Sequence, residues 1–216
     1  MITLQENIGT LKKKDLIIAT IIAFIMGLFF IYIGGIPLVL TFIPGLIISL
    51  GLLYFMYNKN IELPTAKSFV PLFFASFAWQ FLHFNEEFVT GFYTQFPNLF
   101  GARAYSVERF VTINMISYFA FSVGCVAVFT KRLKFLVLPM LFYIVYGMIG
   151  NAITHTWWVI FHKDYFPGFF TAQFYWVLGF IVLSTFLKSK KATFITYGIF
   201  AVIVIPLIAF VELYHT

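Results

Sequence analysis

The sequence has 216 residues, of which 62% are hydrophobic and 10% are charged, and its formal net charge is +6. A soluble domain is about 45–50% apolar and about 25% charged, so the composition excludes an ordinary soluble domain and predicts an integral membrane protein. The single cysteine, Cys125, excludes an intrachain disulfide. The sequence contains no glycine-rich phosphate loop, so no nucleotide cofactor is indicated.

Seven apolar runs follow along the chain, each long enough to cross a hydrocarbon core of about 30 Å as a helix. The first run is too long for the apolar part of a signal peptide and a second follows at once, so we expect it to be retained. We expect an all-α membrane protein, a single integral membrane domain over residues 1–216 built as a bundle of about seven transmembrane helices. The expected spans are approximately 16–34, 36–57, 68–90, 111–130, 135–160, 169–187 and 193–213.

Lysine and arginine concentrate in alternate connections between these runs. Eleven of the fourteen lie in the segments 1–15, 58–67, 131–134 and 188–192. Because basic residues are enriched in cytoplasmic connections, this asymmetry predicts that the N-terminus is inside and the C-terminus outside. It also accounts for the positive net charge without a nucleic-acid partner.

The third run carries His83, Glu86 and Glu87 within the stretch WQFLHFNEEF. Residues three and four positions apart share one face of a helix. A carboxylate at the bilayer centre costs at least about 2.5–3.5 kcal/mol, and two adjacent carboxylates raise each other's proton affinity. We therefore expect a bound cation, a retained proton or a nearby arginine such as Arg103 or Arg109 to compensate them.

The fifth run places Asn151 and His155 one helical turn apart, at a depth similar to that of His83 in the outer half of the bundle. Imidazole and carboxylate ligands together suit zinc, iron or manganese. We expect a divalent-metal site in which one glutamate is a ligand and the other the general base, while Asn151 holds the substrate or a metal ligand. The expected metal ligands are His83, Glu86, Glu87 and His155. The other interpretation is that these histidines are hydrogen-bond partners between helices without a metal.

Three short motifs occur in order: HFNEE at 83–87, NAITH at 151–155 and YFPG at 165–168. They resemble the H-x-x-E-E, N-x-x-x-H and Y-x-P-G elements of the HXXEE family of bacterial integral membrane proteins. The resemblance covers a motif-bearing core of about 68–190. It implies a membrane enzyme of unassigned activity in the bacterial cytoplasmic membrane. It also adds Tyr165 to the site, over its mouth, where the hydroxyl would donate to a substrate, and a turn at Pro167 and Gly168.

We expect a membrane-embedded enzyme that acts on a lipidic or amphipathic substrate near the outer leaflet, with metal-assisted hydrolysis as the plainest chemistry. One alternative is a metal-free acid–base isomerase of an isoprenoid-like lipid, in which a buried glutamate donates and accepts the proton. Another is a non-enzymatic proton- or cation-coupled transporter or an accessory membrane protein. No nucleic-acid partner is expected, and the sequence leaves the oligomeric state open.

Overall fold

The computed structural model describes residues 8–215, which form helices and their connections without a strand. The described residues form nine α-helices, one 3₁₀ turn and one π-helix. The elements are α1 (Lys13–Asn58), α2 (Ala66–Val89), α3 (Phe92–Asn98), α4 (Val107–Lys131), a 3₁₀ turn (Lys134–Leu136), α5 (Val137–Phe142), a π-helix (Tyr143–Gly150), α6 (Asn151–His162), α7 (Phe169–Ala172), α8 (Tyr175–Leu187) and α9 (Lys190–His215).

The helix α1 is a hairpin of two antiparallel segments rather than one long rod. Gly35 has φ +61° and ψ −154°, a conformation outside the helical region that interrupts α1. Thr20 Oγ1 then lies 3.1 Å from Tyr54 Oη, and the rings of Phe30 and Phe42 pack 4.9 Å apart between centroids. The two segments correspond to the first two predicted runs, and glycine at the turn supplies the positive φ that other residues adopt only with strain.

Five helical segments are long and apolar enough to cross a membrane. The helix α2 is not among them, although its 24 residues suffice in length, because the polar residues of the candidate site lower its hydropathy. Each of the seven predicted runs coincides with a helical segment once the hairpin in α1 is counted as two. The five segments are Lys13–Asn58, Val107–Lys131, Lys134–His162, Phe169–Leu187 and Lys190–Tyr214.

The segment Lys134–His162 forms the centre of the bundle. In its apolar window 83% of the residues are buried, against 22–39% in the other four candidate spans. The helices α1, α4, α8 and α9 pack around it. Its π-helical part, Tyr143–Gly150, leads directly into Asn151 and His155. Such wide turns are rare and are frequently found at functional sites.

The basic connections meet at one end of the bundle. The backbone amide of Leu63 donates to Gly9, the Lys134 ammonium donates to the carbonyl of Thr10, and Lys188 pairs with Glu62 at 3.6 Å. These contacts join the four lysine-rich segments 1–15, 58–67, 131–134 and 188–192, which were predicted to lie on one side of the membrane. At the opposite end, the Tyr105 hydroxyl donates to the carbonyl of Gly34 in the α1 turn, at 2.6 Å.

Candidate metal centre

Two histidines and one glutamate from two helices are buried together beneath the α6–α7 connection. Glu87 Oε1 lies 3.3 Å from His83 Nε2, its neighbour one turn earlier in α2. The same oxygen lies 3.4 Å from His155 Nε2 in α6. Within residues 8–215, His83, Glu87 and His155 form the group whose ligand atoms all lie within 4.8 Å of one another. This group could hold a metal ion.

The spacing of the three side chains fits a small divalent ion. Bonds of about 2.0–2.1 Å to nitrogen and oxygen place neighbouring ligands of a tetrahedral site roughly 3.3 Å apart. The two distances from Glu87 match that separation. Both ring nitrogens of His155 are buried and neither makes a hydrogen bond, whereas buried polar groups nearly always have a partner. The His155 imidazole therefore retains a lone pair that an ion in this position would use.

The orientation of His83 follows from its two hydrogen bonds. Its Nε2 lies 2.9 Å from Asn151 Nδ2, which can only donate, so Nε2 is the accepting nitrogen. Its Nδ1 therefore carries the proton and donates to Thr171 Oγ1, 2.9 Å away. Thr171 in turn donates its hydroxyl proton to Glu86. Histidines that bind metals commonly donate their second N–H in this manner, which fixes the ring and raises its basicity.

Glu86, which we expected among the metal ligands or as the general base, lies outside this group. Successive helical residues point about 100° apart, so Glu86 and Glu87 face different neighbours. The Glu86 carboxylate accepts hydrogen bonds from the Tyr165 hydroxyl at 2.8 Å and from the backbone amides of Phe170 and Thr171 at 3.1 and 2.8 Å. It thus anchors the α6–α7 connection to α2, and Glu87 is the glutamate that faces the buried group.

Tyr165 lies near the site, where we expected its hydroxyl to donate to a substrate. In the structure that hydroxyl donates to Glu86, and the ring stacks on Phe170 with 5.4 Å between centroids. Burial and the neighbouring Glu86 carboxylate raise the pKa of Tyr165 in this connection. The hydroxyl therefore remains protonated and holds the connection in place.

The predicted turn at Pro167 and Gly168 lies directly over the buried group. Gly168 has φ +86°, a value that other residues adopt only with strain. A Cβ atom there would lie 2.7 Å from His155 Cε1, 2.8 Å from Glu87 Cγ and 3.0 Å from His83 Cε1. The three sequence motifs therefore meet in one place, and glycine allows the backbone to approach all three side chains.

An aromatic cavity adjoins the candidate centre on the side of Glu87 and Asn151. The empty space in and next to it amounts to about 730 Å³, which includes space open to the surroundings. The polar part of its lining also includes Gln80, Asn114 and Tyr118. Most of the remaining wall is apolar, and its aromatic members include Phe42, Phe92, Phe96, Phe110, Phe121, Phe142 and Trp158.

A second buried carboxylate supports the wall of this site from α9. Glu212 is 1% exposed and accepts hydrogen bonds from the indole N–H of Trp158 at 2.8 Å and of Trp157 at 3.4 Å. The Trp158 ring packs edge-on against His155, with 5.2 Å between centroids. Glu212 therefore positions an aromatic side chain that touches both the candidate centre and the cavity.

Sequence reasoning found His83, Glu87, Asn151 and His155, which the structure brings together. It did not find the role of Thr171, because a single threonine in an apolar stretch carries no spacing signal. No protein-family model, no curated protein and no solved structure matches the chain. Function is therefore inferred from the site itself.

Proposed function

We propose that this protein is a membrane-embedded hydrolase that uses a divalent metal ion, held by His83, Glu87 and His155, to act on a lipidic or amphipathic substrate. The observation that carries the proposal is the buried group of three potential ligands next to an aromatic cavity, in which both distances from Glu87 match a tetrahedral site. Zinc, iron and manganese all suit this set of ligands. Membership of the HXXEE family is part of the proposal and is supported by the meeting of the three motifs at one site.

The proposal includes a chain that crosses the cell membrane seven times, with the N-terminus inside. Five segments are long and apolar enough, and the α1 hairpin and α2 supply the remaining passages. The basic connections gather at one end of the bundle, which the positive-inside rule assigns to the cytoplasm. The candidate centre then lies in the outer half, where the α6–α7 connection covers it.

Each protein group has a role in this chemistry. A metal ion held by His83, Glu87 and His155 would supply a position for water and a Lewis acid for a carbonyl oxygen. Asn151 lines the cavity, and its Nδ2 donates to His83 Nε2 at 2.9 Å and to the carbonyl of Gly147 at 3.1 Å. An ion bound to His83 Nε2 would free the first of these protons for a substrate oxygen. The aromatic walls bind the apolar part of the substrate and exclude bulk water from the centre.

The cavity lies where a lipid can reach it from the side. Its walls include Leu38 and Phe42 from the second half of α1 and Asn114 and Ser117 from α4. These two helices pack mainly against the central helix rather than against each other. Asn114 and Ser117 are only half-buried. The substrate thus enters between α1 and α4, and its polar end reaches Glu87.

A second candidate is a metal-free acid–base isomerase of an isoprenoid-like lipid. It is favoured by the 2.9 Å contact of Asn151 Nδ2 with His83 Nε2, since this amide satisfies the lone pair that a metal would use. Glu87 would then share a proton with the two imidazoles that flank it and transfer it to and from a substrate double bond.

Metal analysis and isotope labelling of the purified full-length protein separate the two candidates. The hydrolase binds about one equivalent of divalent metal and, with membrane lipid extract in H₂¹⁸O, forms products that contain ¹⁸O and disappear on chelation. In H₂O the isomerase forms products with the same mass as the substrate. In D₂O these products contain deuterium, and their formation requires no metal. Metal-free protein that is active in the second assay would overturn the hydrolase proposal, and a lack of turnover in both assays would overturn both.

A further inference from the structure

One hydroxyl group in the cavity has a proton that no atom of residues 8–215 accepts. Of the four tyrosines in the wall, three donate to protein oxygens: Tyr105 to Gly34, Tyr143 to Ser76 and Tyr146 to Thr41. The hydroxyl of the fourth, Tyr118, instead accepts a hydrogen bond of 2.9 Å from Gln80 Nε2. Among the residues that the structure describes, nothing accepts the proton of Tyr118.

A network of hydrogen bonds fixes the direction of this donor. Gln80 Oε1 accepts from the Tyr175 hydroxyl at 2.7 Å, which turns Gln80 Nε2 towards Tyr118. The Tyr118 ring is held edge-on between Phe77 and Phe81, with 5.4 and 5.6 Å between centroids. Gln80 Nε2 donates to the Tyr118 oxygen, so the Tyr118 hydroxyl can donate its own proton to a ligand in the cavity.

The charges around the cavity limit the head group that it can bind. Glu87 is the only charged side chain in the part of the lining that the structure describes, and no lysine, arginine or histidine lines it. Arg109 stacks on the Tyr105 ring, 5.7 Å from its centroid, without reaching the lining itself. A phosphate group would enter a low-dielectric space beside a carboxylate, and an unpaired buried charge is strongly unfavourable. A divalent ion bound to Glu87 would have one positive charge left, which is less than the charge of about −1.5 to −2 on a phosphate monoester.

We propose that the cavity binds an uncharged lipid whose head group is a carbonyl or hydroxyl oxygen, and that Tyr118 donates a hydrogen bond to that oxygen. This inference rests on the proposed function, because it names the substrate class of the same site. The apolar walls enclose the chain, Tyr118 fixes the oxygen, and Glu87 and Asn151 lie at the reacting end of the same cavity. A phosphate monoester with the same chain should bind more weakly, because part of its charge would stay uncompensated in the cavity.

The test compares ligands with one chain and different head groups. Full-length protein in nanodiscs is titrated with tritiated hexadecanol, with hexadecyl phosphate and with hexadecane. We expect hexadecanol to bind at least tenfold more tightly than hexadecyl phosphate. Equal or tighter binding of the phosphate, or no binding of hexadecanol, would overturn the inference.

The variant Tyr118→Phe removes the hydroxyl and keeps the ring. One neutral hydrogen bond corresponds to a loss of roughly three- to tenfold in hexadecanol affinity, whereas hexadecane binding should stay unchanged. Tyr54→Phe is the matched control, because Tyr54 contacts Thr20 in the α1 hairpin and does not line the cavity. An unchanged hexadecanol affinity in Tyr118→Phe, or an equal loss for hexadecane, would contradict the role of Tyr118.

Two further measurements keep the inference separate from the proposed function. Thermal unfolding shows whether Tyr118→Phe is folded, and Ile113→Trp, which fills the cavity, should abolish hexadecanol binding in a folded protein. If the selectivity is found but metal and turnover are absent, the proposed function fails and the substrate class stands. If metal and turnover are found while hexadecyl phosphate binds as tightly as hexadecanol, only the substrate class fails.

Discussion

Glu87 and His155, from helices far apart in the sequence, are buried side by side with 3.4 Å between Oε1 and Nε2. Their contact turns two separate sequence motifs into one site. It also identifies Glu87, rather than Glu86, as the carboxylate on which metal binding should depend.

Replacing Glu87 should therefore abolish metal binding. If the wild-type protein binds one metal ion as proposed, we expect Glu87→Gln to lose it, because an uncharged amide is a weak ligand for divalent ions. Elemental analysis of the purified protein measures this. Glu62→Gln removes an exposed carboxylate at the opposite end of the bundle and should retain the metal. Full metal content in Glu87→Gln would show that the buried group is not the metal site.

Glu86 and Thr171 should tune metal affinity without supplying a ligand. Thr171 links the Glu86 carboxylate to His83 Nδ1, and loss of such outer contacts typically weakens metal binding by about 10–100-fold. We expect Glu86→Gln and Thr171→Val each to bind one metal with an affinity reduced by about that factor, as measured by competition with a chelator. Thr185→Val, whose hydroxyl bonds only within its own helix, is the control. Wild-type affinity in both site variants would contradict the role of this link.

Gly168 and Gly91 form a matched pair for testing how closely the α6–α7 connection covers the site. Both have positive φ, +86° and +83°, so alanine at either position incurs a backbone cost of about 1–2 kcal/mol. Only at Gly168 would the added Cβ atom meet His155 and Glu87 at less than 3 Å; at Gly91 it meets no atom within 4 Å. We expect Gly168→Ala to lower both the unfolding temperature and metal affinity, and Gly91→Ala to lower the unfolding temperature alone. Equal effects of the two variants on metal affinity would be inconsistent with this packing.

Loss of the Glu212 side chain should destabilise the wall around His155. Glu212→Ala leaves the indole N–H groups of Trp157 and Trp158 without their acceptor, at a cost of about 1–3 kcal/mol for each buried donor. Glu212→Gln keeps one acceptor oxygen and should lose less. Equilibrium unfolding in mixed micelles gives the comparison, with Leu213→Ala on the exposed side of α9 as the control. Glu212→Ala with wild-type stability would rule out this supporting role.

Single cysteines at the two ends of the bundle test the proposed orientation. Cys125 is fully buried and should not react with a membrane-impermeant maleimide. We expect Arg103→Cys and Glu108→Cys to be labelled in intact cells, and Lys59→Cys and Lys131→Cys only after permeabilisation, because the proposed orientation places the basic end in the cytoplasm. Labelling of Lys59→Cys in intact cells would reverse the orientation.

The sequence by itself determined the helices and which residues share a helix face, because both depend on residues that are close together in the chain. Apolar runs of sufficient length predict helices, and the structure confirms the all-helical fold. The spacing of four residues between His83 and Glu87, and between Asn151 and His155, places each pair on one helix face, since a helix turns once in 3.6 residues. The break between the first two runs falls at Gly35, where the backbone has the positive φ that glycine adopts without strain.

Only the tertiary structure decided how these local features combine. The side-chain contacts between α2 and α6 select Glu87 over Glu86, and the α6–α7 connection brings the Gly168 backbone onto three side chains. Thr171 and Tyr118 acquire their roles from hydrogen bonds with partners on other helices. Helical periodicity is set within one turn, whereas these contacts depend on how separate helices pack, which no short stretch of sequence specifies.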